Sequence, residues 1–515
     1  MSIAAKELAV ALVISVATFA LARPIALNFC SPRDYSRRRN GWLALTAAVF
    51  LAPNFWIFAA ISAPLLIFLR RKESNPSAMF VFLMYAVPPG FVVIPMVGLS
   101  YLLRLDFHLL LSLCVMTPVA LQLLSAQRPR TSQGPAVMDL CLILYCALAA
   151  AHYVLPEVSP GILMTPTAAE SVKRAVVSLF TLVVPYFVIS RSIQDRRRVL
   201  ETLAFYCLGC ALFSTIAIFE SARHWLLYNE VVARWSSNPQ VTTYGLRGQS
   251  IRAVASTGQP LALGLLLAVA FGIWLGLQAY LKSRLPRLIV AGVFCGGLIA
   301  AYARGAWMGA AFMYFALAAL RPRALSKIVK ASLVAVLFAM VVAATPLGGR
   351  ISQVLPLFGG ETDTQDILYR HELFDRGWQI VAQSPLLGDP HALLKMQHLR
   401  QGQGIIDLVN GYLLILLNDG VIGLGLYMSF MLGGFMKAWG TSRRVVETDP
   451  KYSLVGGSLA ASICGVLLIM AGDGMLDLVM CVLSALAVAY SEVSRLKNRQ
   501  TSLALRAVAD DRNVY

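Results

Sequence analysis

Three arginines and a few carboxylate, imidazole and amide groups are the residues whose types and spacing suit chemistry. In "YGLRGQSIRAVASTGQPLALG" (244–264), Arg247 and Arg252 stand where a polar, glycine-rich stretch becomes an apolar run, at the mouth of a span. In "IAAYARGAWMGAA" (299–311), Arg304 alone interrupts apolar sequence from Leu288 to Leu320. A guanidinium stays charged, and hydrocarbon is hostile to it, so it needs a counter-charge or water. Its planar fork also grips phosphate by paired charge-assisted hydrogen bonds. Arg252 with Arg304 thus predicts a diphosphate clamp. The plainer alternatives are loop arginines at lipid headgroups and an interfacial Arg304 that snorkels.

Two further stretches offer proton-transfer groups. In "ILYRHELFDRGWQIVAQSPLLGDP" (367–390), Arg370, Glu372, Asp375 and Arg376 alternate with apolar residues at helical spacing, and Glu372 and Arg376 are four apart. This predicts an amphipathic helix outside the membrane, ended at Ser384–Pro385, with His371 as a candidate base. In "GQGIIDLVNGYLLILLNDGVIGLGL" (402–426), Asp407 and Asn410 are three apart and are expected to share a helix face. Asp407 at the dry edge of a cavity would suit a general base, and a helix cap is the alternative. Asp473 and Asp477 form an i, i+4 pair between the last two spans, with too few neighbouring ligands for a metal site. The nine cysteines lie mostly in apolar runs, Cys207 and Cys210 in mid-span, and read as small packing residues without a disulfide or zinc.

The elements that must position these groups are membrane helices. The 515 residues are 58% hydrophobic and 14% charged, against roughly a quarter charged in soluble domains. Apolar runs long enough to cross a bilayer recur from Leu8 to Tyr490, too long for barrel strands. The first, Glu7–Ala22, lacks a basic start and a clean cleavage site, so it reads as a helix and not a leader. Spans are expected near 7–22, 78–101, 107–124, 137–156, 172–190, 199–219, 259–281, 327–345, 410–436, 454–471 and 474–491, with two short helices over 41–69 around Pro53–Asn54. The expectation is an all-α polytopic bundle of about 12–15 transmembrane helices with a large, partly helical external loop. It divides into a bundle (1–345) with an external basic loop (220–258), an external loop (346–409), C-terminal helices (410–491) and a cytoplasmic tail (492–515).

The net charge of +18 does not point to nucleic acid, because the basic residues lie in short loops between spans, the pattern of cytoplasmic loops. Both flanks of Leu288–Leu320 are basic, and 33 residues in one helix would span about 50 Å. The run must go out and return, with Ala303-Arg304-Gly305 as its turn. The same bookkeeping places Glu220–Gly258 and Pro346–Val409 outside. The second of these holds seven acids, five bases and His371, His391 and His398.

In order and spacing, these stretches resemble the O-antigen ligase and polysaccharide polymerase family of bacterial envelope glycosyltransferases. The residues that carry the resemblance are "RAVASTGQPLALG" from Arg252, "ARGAW" at Arg304, "RHELFDRGWQIVAQSPLLG" from Arg370 and "VNGYLLILLNDGVIGL" from Val409. The resemblance implies a GT-C-like fold in the inner membrane with a periplasmic active site. It implies an inverting transfer from an undecaprenyl-diphosphate-linked oligosaccharide to an acceptor sugar hydroxyl, without metal or other cofactor. The Arg252 and Arg304 positions match arginines assigned to the donor diphosphate, joined in the expected site by Arg247 and Arg370. The family often has histidine as base where this chain has Val409, so Asp407 or His371, beside Asn410, is expected to serve, the alternative being transfer without a strong base. That departure favours a polymerase of lipid-linked repeat units, of exopolysaccharide or O-antigen, over a ligase acting on a lipid A core. Its partners would be the donor, a glycan or lipid A core acceptor, inner-membrane lipids and a chain-length regulator. A lipid-glycan flippase is the reading from another class, but no inverted repeat is visible.

Overall fold

The computed structural model describes residues 3–96, 99–125, 136–151, 168–235, 246–247, 250–320, 361–389, 391–400, 406, 408, 410–472, 474 and 477–512. Their helices are α1 (Ile3–Ala26), α2 (Pro32–Leu51), α3 (Phe55–Arg71), α4 (Pro76–Leu83), α5 (Phe107–Ser125), α6 (Ala136–Ala151), α7 (Ser171–Ser192), α8 (Arg196–Arg223), α9 (Asn229–Trp235), α10 (Pro260–Leu277), α11 (Arg284–Ala301), α12 (Arg304–Ala319), α13 (Glu361–Gln383), α14 (Gly411–Arg444), α15 (Pro450–Met470) and α16 (Asp477–Arg512). Among the described residues, nine helices are long and apolar enough to cross a membrane, and this is an all-α, multi-pass membrane protein. The span expected at 327–345 lies outside the described residues.

Local chemistry sets many of the helix starts. The side chains of Asn54, Asp195 and Asp449 accept from backbone N–H groups of the first turns of α3, α8 and α15. Proline occupies the first turn of α2, α4, α10 and α15, where no backbone donor is needed. The two helices expected around Pro53–Asn54 are α2 and α3. α2 starts earlier, at Pro32, because Ser31 caps it by accepting from Asp34 N–H at 3.1 Å.

One expected span is overturned. Residues 78–101 are not a helix, since α4 stops at Leu83 and the chain then forms an antiparallel hairpin, β1 (Phe91–Met96) with β2 (Leu99–Asp106). Pro88-Pro89-Gly90 cannot continue a helix, and the Val92-Val93-Ile94 run that follows favours an extended backbone. Hydropathy alone does not register either effect.

Charge sorts the two ends of the bundle. At one end Arg196 pairs with Asp449 and lies over the Tyr452 ring, and Arg191 pairs with Asp139. There too the fully buried Arg38 bridges Glu73 at 2.6 Å and Glu201 at 2.9 Å. These contacts tie together the starts of α6, α8 and α15 and the ends of α3 and α7. Between the two ends, α10 is the hub. It is almost wholly apolar and buried, and it packs against α8, α11, α12 and α15.

Candidate functional site

The end opposite the basic clasp collects the stretches singled out in the sequence. The start of α12 meets the end of α15 where Gly309 lies against Ile469. Tyr412, in the first turn of α14, donates to Leu467 O at 2.5 Å, and Gly377 of α13 lies against Leu413. The turn between α11 and α12, the start of α14 and the exposed helix α13 therefore share one end of the molecule.

Leu288–Leu320 does double back, and the turn falls at Tyr302–Ala303, directly before Arg304. Tyr302 adopts a left-handed conformation (φ 49°, ψ 35°), which for a non-glycine residue costs about 1–2 kcal/mol. Packing holds it there. Trp307 Nε1 donates to Leu298 O at 2.6 Å, stapling α12 to α11. Ala303 is fully buried against Gly264 of α10, where an added Cβ would stand 2.6 Å from the alanine methyl. Arg304 is thus the first residue of a helix whose N-terminal end carries partial positive charge, and it is half-buried.

Arg252 is brought to that turn by backbone geometry. Ala253 N–H donates to Ala300 O at 3.0 Å, so the residue after Arg252 is bonded to the last turn of α11. The loop is fixed from its other side by Glu220, a fully buried carboxylate at the end of α8. Glu220 Oε1 accepts from Leu227 N–H at 3.0 Å, and Oε2 accepts from Val254 and Ala255 N–H at 3.0 and 2.9 Å. Ser256 Oγ then donates to Tyr85 O at 2.6 Å. Gly258 follows at φ +73°, packed so closely on Pro89 that a Cβ would lie 2.6 Å from its ring. Arg247 lies in the short strand β3 (Leu246–Arg247), paired antiparallel with β4 (Ser250–Ile251), immediately before Arg252.

Of the pair expected to share a helix face, Asp407 and Asn410, the structure describes Asn410. α14 begins at Gly411, and Asn410 is its N-cap, with Oδ1 accepting from Tyr412 and Leu413 N–H at 3.1 and 3.0 Å. An asparagine competes for those backbone donors better than it extends the helix. Asp407 lies outside the described residues, as does Asp473. Asp477, the first residue of α16, lines a cavity with Tyr145 and Tyr427.

α13 is the expected amphipathic helix. Its inner face, Leu373, Ile380 and Val381, packs on Leu413 and Leu417. Arg370 and His371 are on the exposed part of the helix, and His371 Nδ1 lies 2.9 Å from Asp375. Arg376, expected to pair with Glu372, donates to Gln379 at 2.7 Å. Beyond α13 the chain docks into a break in α14. Gly420 (φ 64°, ψ −166°) interrupts that helix, and Gly388 (φ +76°) sits against it. Val421 and Ile422 N–H donate to Pro385 and Leu386 O, and Asp389 N–H donates to Leu417 O. Burial raises the pKa of the Asp389 carboxyl. Bonds from Lys395 Nζ at 2.6 Å and His391 N–H at 2.9 Å outweigh this, so its value falls below the ordinary one.

Sequence reasoning missed Glu220 and the Gly388–Gly420 contact. Glu220 had one signal: an acid near the C-terminal end of an apolar helix is unfavourable to the helix dipole and so asks for backbone donors. No curated protein matches the chain. Residues 288–428, from within α11 to mid-α14, match a family model described as O-antigen ligase. That stretch includes Arg304, Arg370, His371, Asp407 and Asn410 but leaves Arg247 and Arg252 upstream. Over these residues the chain is similar to the O-antigen ligase family, and it is a membrane enzyme of the glycan-transferring kind.

Proposed function

We propose that the chain transfers a glycan from undecaprenyl diphosphate to an acceptor sugar hydroxyl on the periplasmic face of the inner membrane, polymerising lipid-linked repeat units of exopolysaccharide or O-antigen. The observation that carries this reading is the Ala253–Ala300 bond, which brings Arg252 to the helix start headed by Arg304. Two guanidiniums beside a helix N-terminus suit a diphosphate, and they would stabilise the charge that grows on it as a leaving group. Their positive charge serves where other transferases use a metal ion. Arg247 and Arg370 would extend the same field toward the glycan.

The acceptor hydroxyl attacks the anomeric carbon from the side opposite the departing diphosphate, and a single displacement inverts the centre. Val409 cannot take the proton. His371 and Asp407 are the bases proposed. With Asp375 facing Nδ1, His371 would present Nε2 outward as the proton acceptor. Asn410 caps α14 through its carbonyl oxygen, which leaves its amide nitrogen to orient the acceptor.

A second reading, ligation of a finished glycan to a lipid A core, is favoured by the description of the matching family. Purified protein in nanodiscs, given the lipid-linked repeat unit alone, separates the two. A glycan ladder with released undecaprenyl diphosphate is the expected result. Glycosylation only after lipid A core is added would establish the ligase, and neither product would remove the transferase reading.

A further inference from the structure

Beside His371 and Asp375, the outer face of α13 presents two aromatic rings that the transfer step does not absorb. Phe374 and Trp378 are 50% and 55% exposed, so each presents a large apolar ring that the rest of the chain does not cover. Their rings are parallel to within 9°, with centroids 6.3 Å apart. His371 and Asp375, in contact at 2.9 Å, are more exposed still. At 100° per residue, these four side chains fall in one stripe spanning about 100° of the helix. The opposite face is already packed on α14, so this stripe is what the helix offers to a ligand.

We propose that this stripe binds the pyranose rings of the glycan being transferred. The proposal rests on the transferase reading and names the part of the chain that holds the sugar. A pyranose has an apolar face of axial C–H groups, which lies flat on an aromatic ring, and a rim of hydroxyls, which needs acceptors. Phe374 and Trp378 supply two parallel flat surfaces, and the Asp375 carboxylate beside them accepts from hydroxyl donors. The surroundings argue against a lipid occupant. Helices that lie on anionic bilayers carry a Lys/Arg-rich polar face. Here Glu372 and Asp375 balance Arg370 and Arg376, and Asp375 sits in the stripe itself. A sugar platform at this end of the bundle would also place an acceptor residue beside His371.

The test uses the full chain in nanodiscs with the undecaprenyl-diphosphate-linked repeat unit as substrate. Phe374→Ala and Trp378→Ala should each raise KM about tenfold while kcat stays within about threefold, and Trp378→Phe, which keeps a flat ring, should recover most of the loss. An unchanged KM in the double alanine variant, at wild-type thermal stability, would overturn the platform and leave the transferase reading standing. Quenching of Trp378 fluorescence by brominated lipid, judged against Trp378→Phe, would also overturn it by placing the stripe in the membrane. If the wild type released no undecaprenyl diphosphate, the transferase reading would fail by itself. Radiolabelled oligosaccharide freed from the donor by mild acid then decides the platform: retention by wild type but not by the double variant supports it, and equal retention refutes it.

Discussion

Replacing Glu220 isolates the device that holds Arg252 in place. Its carboxylate satisfies three backbone N–H groups, two of them in the loop directly after Arg252. An unsatisfied buried donor costs about 1–3 kcal/mol, so Glu220→Ala would leave roughly 3–9 kcal/mol of unmet demand. A loop of a few residues cannot withstand that, and it should lift until Val254 and Ala255 are hydrated. Arg252 would lose its register with the turn at Arg304. Glu220→Gln is milder, because the amide oxygen can still serve Val254 and Ala255 while its NH2 faces Leu227, a loss of one bond or about 1–3 kcal/mol. Hydrogen exchange at Val254 and Ala255 should rise strongly in the alanine variant and little in the glutamine variant. In the donor-release assay, KM for the lipid-linked substrate should follow the same order, rising at least about tenfold for alanine. Fast exchange at Val254 and Ala255 combined with an unchanged KM would refute the chain of reasoning from Glu220 to Arg252 to the diphosphate.

Arg304→Lys should lower donor-dependent turnover between about ten- and a hundredfold, since a point charge does not reproduce a bidentate grip worth 1.5–3 kcal/mol per charged hydrogen bond. Wild-type turnover in that variant would remove the clamp. Gly420→Ala forces a side chain into a backbone conformation reserved for glycine, with its Cβ 2.3 Å from Leu386 O. It should destabilise the α13–α14 junction by at least about 1–3 kcal/mol, read as a lower melting temperature and protease nicking between 384 and 400. Asp389 gives a pH dependence. Its pKa is depressed in the fold, so its contribution is complete at neutral pH and fades only as pH falls below the ordinary value of 3.8. Hydrogen exchange across 389–399 should stay slow down to that point and then accelerate. Acceleration already complete by about pH 5 would assign the change to another group.

Much of the fold was legible because hydropathy and charge act locally. The return of Leu288–Leu320 followed from its length and its two basic flanks, and the structure turns the chain immediately before Arg304. The amphipathic helix at 367–383 could be read because its apolar residues keep helical spacing and Ser384–Pro385 ends it. Reading failed where one local signal masked another. Residues 78–101 were apolar enough to cross a membrane, but Pro88-Pro89-Gly90 and the β-branched run turned them into a hairpin. Asn410 reads in the sequence as a residue on a helix face, whereas its side chain takes the backbone donors of the first turn of α14 and so precedes the helix. The sequence by itself determined the membrane class, the helix periodicity and the residue types suited to gripping a diphosphate. Only the tertiary structure decided that the loop after Arg252 is bonded to the last turn of α11, which leads into Arg304. That placement depends on one bond from Ala253 to Ala300 and on a buried glutamate more than thirty residues upstream. Contacts between segments so far apart leave no periodic trace along the chain, because each is set by where packed helices happen to end.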